Sequence, residues 1–205
     1  GSGTVSSANV GTGKNVTSVN LALANGSGSA SNYSINSLTA EITGRPVTIS
    51  GSRLYDSTTT ASSSILTITS GVSGESLSLT GSGVLGAASA GTQTITNNNT
   101  LAVADGSGGL ASNYTLSGAT INVTIIPRTL NVSLSREYDG TTSVSGASLT
   151  PTFDSLQGGE TLALSGTGSV STANVGSSKA VTLGTIALAA GSGNPSNYTL
   201  NTATI

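Results

Sequence analysis

Gly159-Glu160-Thr161-Leu162-Ala163-Leu164-Ser165-Gly166-Thr167-Gly168 is the stretch from which the fold is read. Residues 161–165 alternate leucine with the smaller Thr, Ala and Ser, the period of two that turns one face of a strand inward and the other to water. Gly-Thr-Gly then closes the run with the residues that tight turns demand. The same phrase stands earlier as Glu75-Ser76-Leu77-Ser78-Leu79-Thr80-Gly81-Ser82-Gly83, so this strand and turn belong to an internal repeat.

Working outward, the repetition extends over the chain. Arg45-Pro46-Val47-Thr48-Ile49-Ser50 parallels Arg128-Thr129-Leu130-Asn131-Val132-Ser133, and Tyr55-Asp56-Ser57-Thr58-Thr59 parallels Tyr138-Asp139-Gly140-Thr141-Thr142. Thr4-Val5-Ser6-Ser7-Ala8-Asn9-Val10-Gly11 returns as Ser169-Val170-Ser171-Thr172-Ala173-Asn174-Val175-Gly176. Ser-Asn-Tyr occurs three times, ending at Tyr33, Tyr114 and Tyr198. A period of about 83 residues gives three parts: the C-terminal part of a repeat (1–44), a full repeat (45–127) and a nearly full one (128–205). Residues 1–44 are too few for a whole unit. Either they partner strands elsewhere, or the fold unit is offset from the sequence repeat.

In the last repeat, strands are expected at residues 130–135, 161–165, 180–183, 185–188 and 198–200, with glycine-rich turns between them. Helix is not expected, because Ser, Thr, Asn and Gly are poor helix formers and no apolar 3.6-residue period is sustained. The fold class that follows is all-β: tandem small β-sandwich-like or grasp-like modules in an elongated array.

Composition narrows the function. Ser and Thr fill about a third of the chain, charged residues are 7 %, and the net charge is −2. Short apolar alternations separate it from a flexible Gly/Ser linker. There is no Cys, Met, His or Trp, with one Phe and five Tyr, so cores must be built from Val, Leu, Ile and Ala. Without His or Cys, no Ser–His or Cys–His nucleophile can be assembled, and the carboxylates are scattered singly rather than paired. No enzyme activity, cofactor or metal site is expected. No basic run follows a phosphate backbone, which argues against nucleic acid. No apolar stretch has the length of a membrane span. The chain opens on Gly1-Ser2-Gly3 inside a repeat and reads as a fragment, with any targeting signal elsewhere.

Four ordered phrases of one unit carry a family resemblance: Arg136-Glu137-Tyr138-Asp139-Gly140-Thr141-Thr142, the Gly159–Gly168 stretch, Ala173-Asn174-Val175-Gly176 and Asn197-Tyr198-Thr199-Leu200. Together they resemble the YDG-type repeat domain, found in tandem in large bacterial exoproteins of the filamentous-haemagglutinin, two-partner-secretion adhesin class. The middle unit departs from the pattern, with Ser57 for the glycine and Ala87-Ala88-Ser89-Ala90-Gly91 for Ala-Asn-Val-Gly. The resemblance implies secretion, display on the bacterial cell surface and a modular stalk. It implies no chemistry.

Tyr138, Asp139 and Thr141 are the candidate ligand contacts, the ring stacking on a sugar and the carboxylate accepting its hydroxyls. The plainer reading is a turn, in which Asp caps local amides, Gly140 takes a positive φ and the tyrosine seals the core. That structural reading extends to Tyr55 and Asp56, and to Tyr33, Tyr114 and Tyr198 as packed rings with bonded hydroxyls. The function expected is a stalk or spacer supporting cell-surface or biofilm attachment; the alternative is that the repeats themselves bind polysaccharide or host glycan. The expected partners are neighbouring repeats of a monomeric chain, with surface or matrix polysaccharide as the second candidate.

Overall fold

The computed structural model describes residues 1–18, 20–69 and 71–205. The described residues form strands and short 3-10 turns, with no α-helix among them. The all-β, tandem-module expectation therefore holds. Two compact units emerge, each built from several stretches of chain. Unit one comprises Gly1–Ile49, Ile68–Thr80 and Ala102–Thr120; unit two comprises Ser50–Thr67, Gly81–Leu101 and Ile121–Ile205. Each unit mixes pieces of two sequence repeats, and the middle repeat contributes alternate stretches to both.

In unit one, Gly3–Val5, Gly11–Ser18 and Thr39–Ile42 form an antiparallel three-stranded meander. A second pair, Leu77–Thr80 with Ala102–Asp105, runs in the register Leu77 opposite Asp105. Here the opening phrase's counterpart pairs with a strand that follows two intervening ones, Ser82–Leu85 and Gly91–Asn97. No described residue from Gly1 to Pro46 is buried; Val47, Ile49 and Tyr114 are.

Unit two holds the larger core. Arg128–Ser133 and Tyr198–Thr204, the first and last strands of the final repeat, pair in parallel, and Thr152–Phe153 adds an antiparallel edge. Ser143–Ser145, Thr167–Val170 and Val181–Thr182 make a second sheet, and Leu162–Ser165 pairs with Ala187–Ala190. Alternation sends Leu130, Val132, Leu162 and Leu164 inward. Val132, Leu134, Val144, Leu164, Val170, Val181, Ile186 and Ala203 form the cluster, with Phe153 and Leu200 against it. Each such aliphatic side chain contributes about 1.5–3 kcal/mol by leaving water, so a core without Trp or Met suffices.

The middle repeat supplies another layer of unit two. Thr60–Ser62 pairs with Ser82–Leu85, which pairs with Gly91–Asn97, and this meets the end of Tyr114–Ile126 in the register Ile125 opposite Gly91. The turn after the opening phrase is the same in both repeats. Gly81 and Gly166 have φ of 75° and 79°, and a Cβ on either would sit 2.0 Å from a carbonyl oxygen, of Thr100 and Thr185 respectively. Only glycine fits there.

Candidate functional site

The Tyr-Asp-Gly-Thr turn is built from its own side chains. The amide and hydroxyl of Thr141 donate to Asp139 Oδ1 at 2.9 and 3.0 Å, while Gly140 takes φ 74°. Arg136 lies three residues earlier, pairs with Asp139 Oδ2 at 3.0 Å and donates to the Thr141 carbonyl at 2.6 Å. The Thr141 amide foremost, with the Arg136 guanidinium in support, holds the Asp139 carboxyl below its usual range. The middle repeat copies the turn: the Thr58 amide and hydroxyl donate to Asp56 at 2.9 Å, and Arg53 pairs with the same carboxylate. Burial pushes Asp56 up, but these bonds outweigh it and its pKa falls. Asp139 and Thr141 are thus bonded to each other within an Asx-type turn.

The tyrosines divide. Tyr55, Tyr114 and Tyr198 are buried, whereas Tyr33 and Tyr138 are 70 % and 67 % exposed. The packed-ring description fits the first three and not the last two. Tyr55 follows the strand Arg45–Leu54, and its backbone is fixed by a bond from its amide to the Ile126 carbonyl and another from Arg128 Nε to its own carbonyl.

Glu160, a solitary carboxylate in the sequence, joins two of these rings. The Tyr55 and Tyr198 hydroxyls donate to its two oxygens, each at 2.6 Å, and the rings meet edge to face with centroids 5.3 Å apart. The Gln157 amide donates to the Tyr198 hydroxyl at 3.0 Å. Burial foremost, reinforced by the neighbouring Glu160, pushes Tyr55 up to about 12 and raises Tyr198 as well. Such an edge-to-face pair adds roughly 0.5–1.5 kcal/mol to its area burial. Tyr55 belongs to the middle repeat, Glu160 and Tyr198 to the last. Unit one contains the second and third elements again: Tyr114 donates to Glu75 at 2.5 Å and accepts from the Val72 amide at 3.2 Å.

Asparagine makes the second link between repeats. Asn197, 4 % exposed, ends the 3-10 turn Pro195–Asn197 and accepts the Ala90 amide on Oδ1 at 2.8 Å. Asn113 ends the turn Ala111–Asn113 and accepts the Val10 amide at 2.9 Å, its own side-chain nitrogen donating to Asn9 at 3.1 Å. Val10 and Ala90 occupy the same place in their repeats. Sequence reasoning singled out the tyrosine of Ser-Asn-Tyr and missed the asparagine beside it; the threefold recurrence of the dipeptide was the available signal.

Among the described residues, no group of three or more His, Cys, Asp or Glu is placed to hold a metal ion, and no helix is long and apolar enough to cross a membrane. The family model described as the YDG domain matches residues 39–123 and again 122–205. No curated protein and no solved structure shows a significant match.

Proposed function

The chain belongs to the YDG domain family, and from that premise we propose that it is a structural spacer, a run of interlocked repeats that projects the binding region of a secreted bacterial surface adhesin. One observation carries this reading: Asp139 and Thr141 are bonded to each other within the turn, while Tyr55 and Asn197 reach across to the adjacent repeat, as in Tyr55–Glu160–Tyr198. Residues arranged to join repeats build length and stiffness, and units that contact only their neighbours extend at little topological cost. The low charge and absence of Cys and Met suit display outside the cell.

A second reading has its own support. Tyr138 is exposed beside an open groove of about 590 Å³, and an exposed ring next to a groove is a place where a sugar can stack. A polysaccharide and glycan array probed with the chain tests both. A spacer gives no saturable binding. Saturable binding that Tyr138→Ala abolishes, with the fold intact, would replace the spacer by the glycan-binding reading.

A further inference from the structure

We infer that the face formed by Tyr138, Val175 and the groove between them is a docking site for another YDG repeat, which it receives through that repeat's glutamate–tyrosine pair and Ser-Asn-Tyr asparagine. The same chemistry already operates inside the chain. Tyr55 of the middle repeat is 3 % exposed because its hydroxyl bonds Glu160 and its ring packs on Tyr198 of the following repeat. Val10 and Ala90 each give their amide to the asparagine of the repeat that follows. Tyr138 and Val175 are the counterparts of Tyr55 and of Val10 and Ala90.

Those counterparts are open. Tyr138 is 67 % exposed and Val175 is 86 % exposed. The groove beside them is floored by apolar Leu134, Val170 and Ile205 and rimmed by Asn174. Val170 is itself 6 % exposed, close to the 2 % of its counterpart Leu85, so what stands open here is the tyrosine and the amide rather than the floor. Asn174 corresponds to Asn9, which accepts from the Asn113 side chain. The surface therefore offers the hydroxyl donor that Tyr55 supplies in the middle repeat, the amide donor that Val10 and Ala90 supply in the first and middle repeats, and the asparagine that Asn9 supplies in the first. The receiving half recurs too, since Glu75 and Tyr114 lie together at a cavity of about 490 Å³ in unit one. A sugar would have no requirement for the Val175 amide; a neighbouring repeat does.

The inference rests on the spacer reading only in taking repeats as consecutive. A loose string of repeats also spaces, so failure here would leave that reading standing, whereas saturable glycan binding would remove it. The test extends the full chain with a second copy of residues 122–205 fused after Ile205, the counterpart of Ile121. Exchange of the Val175 amide should slow by about tenfold or more relative to the unextended chain, and Tyr138 should lose reactivity toward a hydroxyl-acetylating reagent. Asn197→Ala in the added copy alone should restore fast exchange at Val175. Val175 and Tyr138 as accessible in the extended chain as in the original would overturn the inference. An added repeat that fails to fold would do the same, because this face is where it should find support. Protection of Val175 that grows with concentration in the unextended chain would assign the face to pairing between molecules, and would equally overturn it.

Discussion

Ser57 and Gly140 occupy the same turn position, and both take a left-handed backbone, with φ of 64° and 74°. For a residue with a Cβ that conformation costs roughly 1–2 kcal/mol. Ser57→Gly should therefore raise the stability of the chain by about 1 kcal/mol in urea unfolding, less the extra freedom that glycine gives the unfolded chain. Tyr55 makes a second residue-scale prediction. Its pKa is raised in the folded chain to about 12, against about 10 when unfolded. The folded state thus holds the proton more tightly, so this contribution is complete below pH 10 and is lost as the pH rises through about 12. Unfolding followed across that window should show steep alkaline destabilisation. Tyr55→Phe should flatten it, while lowering stability at pH 7 by about 2 kcal/mol through loss of a hydrogen bond to a carboxylate.

At the scale of elements, alternation located strands better than it paired them. Residues 161–165 were expected to form a strand, and Leu162–Ser165 does, because its two leucines reach the core. The last strand was expected over 198–200 and runs on to Thr204, since its parallel partner Arg128–Ser133 supplies hydrogen bonds along that length. A period of two carries no information about direction, so the parallel pairing of first and last strands was not legible. The turns were. Gly166→Ala should cost about 2 kcal/mol or more, from the left-handed backbone and the clash with the Thr185 carbonyl. Gly159→Ala, with φ 72° but open space around it, should cost only about 1 kcal/mol. Thermal unfolding of the two variants checks the difference, and equal losses would show that the close approach at Gly166 is relieved by a small backbone shift.

Across the whole molecule, the sequence repeat and the compact unit are different objects. The repeat was legible because Tyr-Asp, Glu-x-Leu-x-Leu and Asn-Tyr recur in order. The unit was not, because its joining contacts are long-range: Tyr55 meets Glu160 and Ala90 meets Asn197, each across more than a hundred residues. The turn formed by Asp139 and Thr141 was readable from local chemistry, while the role of Glu160 needed partners that no single motif contains. If repeats interlock through these contacts, Ser50–Thr67 and Gly81–Leu101 of the middle repeat share their stability with the final repeat. Native-state hydrogen exchange on the chain and its Glu160→Ala variant tests that sharing directly. Interlocked repeats predict that the amides of Ala61 and Leu85 gain exchange rate together with those of Leu130 and Val132. Faster exchange confined to residues 128–205, with Ala61 and Leu85 unchanged, would contradict it.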